Sequence, residues 1–561
     1  MDSSRKTSVY FILAILILLG SILFNIIVFV QYGEHYLNAD ISSQLVLGKN
    51  NIEENKFLSK NFYYSTEVEV LNSAHIYQMM LLLFPDNWHL ARLGAVIVNM
   101  FILGAGFIYM ARAFTMDAPW IIITLSAILL PFSIGYMFNM TFGCFYQVFT
   151  ATVFFDIGSI LRFLNKRKKA LYLSLLVIVN FIISLSGIRM IMFSAMPIAV
   201  TCFYFLICAA TKINRLSDVK KLPEWKIVFG GLINGLSIVL GYIVNKKIIV
   251  PNYFVDEYIS TVLRQFSISD VLIHIQYIFE YLGFVGEIPL FSLSGIFSIV
   301  TIILFLLLVI SLLSLFRESI RTDFTFKNKI ISYKDDIDNQ VEEFSKKQRE
   351  TVSLTERFII VFCISSIFLG ILINVSSPKG RVVGNLGVSY YMPGFVLLIV
   401  TAFMYLTKIS CVRRWVNYIF VIVLYLVFAG KSVVTVRDNM YSSDSHYEQT
   451  ADWLVENGYT EGFATFWNGN VLSEASDGRI EVWVLWDLEN SQIYKWLQKT
   501  SHSSIYPEGK CFVYATSMQV FEKKVNTEFM ESIAERSIIL PNDDRLYLFN
   551  SGKEYMSNFE Q

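Results

Sequence analysis

Ten stretches of this chain hold no Asp, Glu, Lys or Arg, and most are long enough to cross a bilayer. They are residues 8–33, 93–111, 118–155, 170–188, 190–211, 227–245, 288–316, 358–378, 382–407 and 415–430. A helix needs about 20 apolar residues to span the hydrocarbon core, so each stretch predicts a span. The stretch 118–155 contains Pro119, Pro131 and Gly135 and is long enough for two spans, with a tight turn expected near residues 136–141. Eleven spans follow. The chain is 54% hydrophobic and 16% charged. Soluble domains carry about 25% charge, so the composition agrees with an integral membrane protein bearing some soluble parts.

The basic residues set the orientation. Arg5 and Lys6 precede the first span, Arg162 to Lys169 follow the fourth, Lys212 to Lys226 follow the sixth, and Arg413 and Arg414 follow the tenth. All fall on one side, which the positive-inside rule makes cytoplasmic. The N-terminus is then inside and the C-terminus outside, and Lys246-Lys247 is a mild exception. Forty-six basic residues balance forty-six acidic ones, so nothing argues for a nucleic-acid partner. Six scattered cysteines give no disulfide framework.

The spans predict an all-α polytopic membrane domain over 1–430. An outer loop runs over 31–89 and a charged cytoplasmic loop over 317–356. Residues 431–561 are expected to form a small extracytoplasmic domain. Helix-like and strand-like stretches alternate there (447–457, 463–467, 480–486, 491–498, 511–516, 545–550), which suits an α/β fold. Within the first loop, Ile41, Leu45, Gly48 and Ile52 recur at spacings of four, three and four, which is one helix face. An amphipathic helix lying in the membrane interface is expected there, with Trp88 as an interfacial anchor before the second span.

The acids of that loop are the chemical candidates. Asp40 lies just past the first span, where a carboxylate is costly unless used. Glu67 and Glu69 follow on the same loop. Two loop carboxylates can divide labour, one taking a proton and the other positioning substrate. No His pair has metal-ligand spacing and no phosphate-binding glycine loop appears, so neither a metal nor another cofactor is implied. Gly230-Gly231 lies in a span and reads as close helix packing. Asp156, within or near a span, reads as a helix-pairing group.

The long first outer loop, the Asp soon after the first span and the Tyr64-Ser65-Thr66-Glu67 stretch resemble the GT-C superfamily of membrane glycosyltransferases. Its bacterial branch related to protein O-mannosyltransferases and aminoarabinose transferases, glycosyltransferase family 39-like, is the nearest match. The resemblance implies transfer of a sugar from a polyprenyl-phosphate donor to an extracytoplasmic glycan acceptor, with Asp40 as the general base and Glu67 as the assisting carboxylate; Glu69 is the further candidate for contacting substrate. Where that family often shows two adjacent acids, Asp40 is flanked by Ala39 and Ile41, so Asp40 is expected to act alone. The donor phosphate implies cations on the outer face. Arg189, Lys379 and Arg381 fit, with Tyr391 beside them, and Arg92 and Arg264 fall on the same side. A polysaccharide polymerase or ligase, and a flippase for lipid-linked glycans, are the alternative readings.

Overall fold

The computed structural model describes residues 3–71, 73–114, 116–165, 168–210, 222–255, 265, 267–332, 353–376, 384–408, 414–439 and 446–559. The chain divides into two compact units, one of residues 1–27, 100–243 and 261–440, the other of residues 28–99, 244–260 and 441–561.

Among the described residues, eight helices are long and apolar enough to cross a membrane: Val9–Tyr32, Trp88–Ala111, Gln147–Asn165, Ile191–Ala210, Pro223–Asn252, Leu293–Ile320, Leu354–Ser376 and Val416–Asn439. The pair Ala118–Leu129 and Ile134–Phe142, bent by 101°, makes a ninth if counted as one span. Two shorter apolar helices, Lys169–Ser184 and Met392–Lys408, fall in the remaining charge-free stretches. The chain is a multi-pass membrane protein.

The turn expected near residues 136–141 is instead helical, and the break falls at Leu130, which is extended at φ −73, ψ 133. Pro131 follows it. Proline pushes the preceding residue out of the helical region and offers no N–H of its own, so the helix stops there. Ser133 then caps the next turn by accepting from the Tyr136 N–H at 3.2 Å.

The helices of the first unit meet through small and polar residues. A Cβ on Gly106 would stand 2.7 Å from the Ala151 carbonyl oxygen, and one on Gly231 2.3 Å from Cys202 Sγ. Asp156 is fully buried and accepts from Asn180 Nδ2 at 2.6 Å and from Ser194 Oγ at 2.5 Å. It joins three helical segments through neutral donors, which satisfy a carboxyl group without a second buried charge.

The second unit is α/β. Its strands are β1 (Phe62–Tyr64), β2 (Phe254–Val255), β3 (Glu461–Thr465), β4 (Glu481–Leu485), β5 (Gln498–Lys499), β6 (Cys511–Ala515), β7 (Arg536–Ile539) and β8 (Arg545–Phe549). Five of them form a sheet in the order β4-β3-β6-β8-β7, in which β4, β3 and β6 are parallel neighbours and β8 runs antiparallel to both β6 and β7. Helix Phe466–Ala475 is the crossover between parallel β3 and β4. Alternate residues feed two cores. Phe463, Trp483, Val513, Tyr547 and Phe549 pack with Met530 and Tyr555 on one face. Ala464, Val482, Phe512, Tyr514 and Leu546 pack with Leu454 and Leu472 on the other. A sheet covered on both faces needs such nearly continuous apolar strands.

A second small sheet, β2-β1-β5, ties the first loop into this unit. Phe62 pairs with Lys499 antiparallel, and Tyr63 pairs with Phe254 in parallel.

Candidate functional site

The helix predicted from the 4-3-4 spacing forms as α2 (Ala39–Glu53), soon after α1 (Ser3–Tyr32) ends. Asn38 is its N-cap, accepting from the Ile41 N–H at 2.9 Å. Asp40 is the second residue of the first turn. Its neighbours Ala39 and Ile41 are fully buried, while Asp40 itself is exposed. The first turn of a helix presents unpaired N–H groups and favours a negative side chain. The Ser43 hydroxyl donates to the Asp40 backbone carbonyl at 2.8 Å and fixes the turn from below.

The apolar face of α2 is covered by protein rather than by lipid. Leu45 packs with Tyr77, Met80 and Leu81 of α3 (Ser73–Leu83) and with Trp88, Ala91 and Ala95 of α4 (Trp88–Ala111). Gly48 permits the approach: a Cβ there would lie 3.1 Å from Leu81 and 3.2 Å from the Gln78 Cα. The expected interfacial helix is therefore an internal one. Trp88 differs in the same way. It is 2% exposed and lies so close to Gly478 that a Cβ at Gly478 would meet the indole at 2.3 Å. Asp477 accepts from the Trp88 backbone N–H at 2.8 Å, closing the start of α4.

Arg92 gives the largest departure from the sequence reading. It is 1% exposed and grips Glu474 in a bidentate pair, Nε to Oε1 at 2.5 Å and Nη2 to Oε2 at 2.6 Å. Nη2 also donates to the Ile41 carbonyl at 3.1 Å, and the guanidinium lies 5.0 Å from the centre of the Tyr77 ring. Arg92 thus pins the turn that carries Asp40 against helix Phe466–Ala475. These contacts are those of a structural clamp rather than of a headgroup or phosphate ligand. No spacing in the sequence could pair it with a glutamate 382 positions away.

Glu67 and Glu69 lie beyond β1 in the same unit as Asp40, both half-buried, on either side of the fully buried Val68. Asn245 Nδ2 holds the Val68 carbonyl at 3.0 Å. Arg189 belongs to the other unit. It follows Gly187, whose φ of 104 turns the chain, and it lies 5.7 Å from the ring centres of both Tyr146 and Phe149. The Tyr146 ring in turn meets Tyr390 edge-on at 5.8 Å. The 3-10 helix Gly384–Tyr391 ends at Tyr391. Lys379, Arg381 and Arg264 lie outside the described residues.

A further charged cluster, unsuspected in the sequence, joins α2 to the five-stranded sheet. Lys499 contacts Glu481 at 2.9 Å and Glu53 at 3.2 Å, and His502 Nε2 meets Glu481 Oε1 at 2.9 Å. Burial opposes ionisation of Glu481, yet the His502 hydrogen bond and the Lys499 ammonium outweigh it and hold its carboxyl down to about 2. Burial pulls the His502 imidazole below its ordinary value, even though both ring nitrogens face acceptors. The adjoining cavity is about 30 Å³, room for about one water. This cluster is structural. Among the described residues, no group of three or more His, Cys, Asp or Glu is arranged to hold a metal ion.

No family model matches this chain, and no curated protein matches it. Solved structures similar to it include ArnT from Cupriavidus metallidurans bound to undecaprenyl phosphate, at 10% identity and a TM-score of 0.44, covering 98% of each chain. The oligosaccharyltransferase of Archaeoglobus fulgidus is similar in its apo form at 10% identity and a TM-score of 0.44, over 90% of this chain and 70% of that one. The same enzyme in complex with zinc and sulfate is similar at 11% identity and a TM-score of 0.42, over 90% and 68%.

Proposed function

We propose that the chain is an inverting membrane glycosyltransferase that moves a sugar from a polyprenyl phosphate to a glycan acceptor outside the cytoplasm. The observation that carries this reading is Asp40. It is an exposed carboxylate on a rigid first turn, held by the Asn38 cap and by the Arg92 clamp on the Ile41 carbonyl. A general base needs this combination of access and fixed position. An ordinary loop acid needs neither.

In this mechanism an Asp40 carboxylate oxygen takes the proton of the acceptor hydroxyl as that oxygen attacks the anomeric carbon. The bond from the anomeric carbon to the phosphate oxygen breaks on the opposite face, and its electron pair leaves with the lipid phosphate. Arg189, Lys379 and Arg381 are the cations assigned to that phosphate, with Tyr391 beside them, because guanidinium and ammonium donors stabilise the charge that develops on a leaving phosphate. Glu67 assists as the second acid and Glu69 contacts substrate. A phosphate leaving group is already activated by its attachment, so the reading requires no metal. The N-terminus is cytoplasmic, and residues 431–561 lie outside, with the acceptor.

Asp40→Asn tests the reading. The amide keeps the size of the side chain and cannot take the proton, so transfer should fall by about 10²- to 10⁴-fold. Wall-glycan composition of cells carrying the variant, at normal protein level, reads the effect. Unchanged glycosylation would remove Asp40 from the chemistry.

A further inference from the structure

Lys431 is 2% exposed in a helix of apolar residues, Arg414–Asn439. Its Nζ donates to the Gly283 carbonyl at 3.4 Å and to the Thr301 hydroxyl. Gly283 makes the approach possible twice over. Its φ of +88 turns the carbonyl in a way other residues resist, and a Cβ there would lie 3.0 Å from the ammonium. Among the described residues, no carboxylate lies within ion-pair distance of Nζ. An ammonium has three N–H donors, and burying it without an opposite charge is unfavourable. Ionisable groups retained in such a place mark ligand sites by default.

The ligand space is present. Lys431 lines a cavity of about 270 Å³ in the helical unit, together with Glu280 and Asp438. Arg437 pairs with Asp438 at 2.5 Å, and Ser294 donates to it as well, so that acid is already compensated. Glu280 is half-buried at the end of helix Ile268–Tyr281 and accepts from Gln276 at 2.9 Å, with no ion-pair partner among the described residues. Among the described residues, the cavity therefore carries one basic and one acidic side chain, neither with an ion-pair partner. The rest of its wall mixes the hydroxyls of Ser133, Ser294 and Thr435 with apolar side chains such as Phe284, Phe297 and Val285, and Val285 is 49% exposed. The same loop exposes Leu290 at 64% and Phe291 at 97%.

We propose that this cavity binds the headgroup of a bilayer phospholipid that carries both a phosphodiester and a primary amine. The phosphate meets Lys431, the ammonium meets Glu280, and the acyl chains run over Val285 and the exposed Leu290–Phe291 edge. A plain anion would leave Glu280 opposed, and a lipid without an amine would leave it unpaired. The ligand is a structural lipid distinct from the sugar donor, so the proposal stands independently of the transfer reaction.

The test is lipid retention by the purified full-length protein, read by native mass spectrometry after exchange into an equimolar mixture of phosphatidylethanolamine, phosphatidylglycerol and phosphatidylcholine. Phosphatidylethanolamine should be retained about tenfold over the other two. Lys431→Gln should abolish its retention. Glu280→Gln should leave phosphatidylethanolamine and phosphatidylglycerol retained alike. Should Lys431→Gln fail to fold, the half-buried Glu280→Gln decides alone. Equal retention of the three lipids by the wild type, a preference for phosphatidylglycerol, or an unchanged preference in Glu280→Gln would each overturn the proposal.

Discussion

Arg92 and Glu474 bury opposite charges within 2.6 Å in a region with almost no solvent. Such a pair adds little net stability compared with well-packed apolar groups, because desolvation consumes most of the attraction, but losing one partner strands a charge. Arg92→Met alone, or Glu474→Leu alone, should therefore cost about 3–5 kcal/mol. The double variant should recover most of that, and thermal midpoints of the purified proteins would read the difference. Equal midpoints for single and double variants would mean that the two side chains do not act as a pair. The contrast with Asp40 shows what a sequence can disclose. Asp40 was legible because its setting is local, between the end of one apolar stretch and the helix face that starts at Ile41. The partner of Arg92 comes from a distant segment, so composition made it one more cation at a membrane edge. Trp88 was misplaced for the same reason, since Gly478 and Asp477, which bury and cap it, lie far along the chain.

At the level of elements, length and apolarity sufficed to locate the helices, because a bilayer demands a local property, a run of about 20 residues. How the helices approach one another depends on single small residues, which the runs do not reveal. Gly230-Gly231 was legible as an adjacent pair, whereas nothing in the sequence set Gly106 apart from Gly94 and Gly104 of the same span. A methyl group on Gly106 would meet the Ala151 carbonyl oxygen at 2.7 Å, while one on Gly235 would meet nothing within 4 Å. Gly106→Ala should thus destabilise the protein by about 1–3 kcal/mol through overpacking. Gly235→Ala should be neutral or stabilising by about 0.5–1 kcal/mol, because alanine loses less entropy than glycine on entering a helix. Thermal midpoints in one detergent compare the two directly. A loss at Gly235 equal to that at Gly106 would point to a general intolerance of added volume rather than to one close contact. The bent pair teaches a related lesson. Both prolines of 118–155 were visible, and the break falls at Leu130, directly before Pro131, rather than at the midpoint of the stretch.

Across the whole molecule, the sequence draws a boundary at residue 430 where the apolar stretches end, while contacts group residues 28–99 and 244–260 with 441–561. The bonds that do this cannot be seen in any window of sequence: β1 pairing with β5, the Lys49 ammonium on the Gly478 carbonyl at 2.6 Å, and Ala39 packed with Phe466 and Val484. The five-stranded sheet has both of its cores inside residues 446–559, so a fragment of 441–561 should retain α/β circular dichroism. It should nevertheless be less stable than the same fragment with residues 38–99 fused through a flexible linker. Without them Glu474 keeps a buried charge and no Arg92, and β5 loses β1, its strand partner among the described residues. The fused form should melt several degrees higher, since about 1 kcal/mol shifts the midpoint of a domain of this size by about 2–6 °C. It should also bind less of a hydrophobic dye. Identical midpoints with and without the added segment would mean that the first loop is attached to an already complete domain. A higher midpoint would make the loop that carries Asp40 part of the core that positions it.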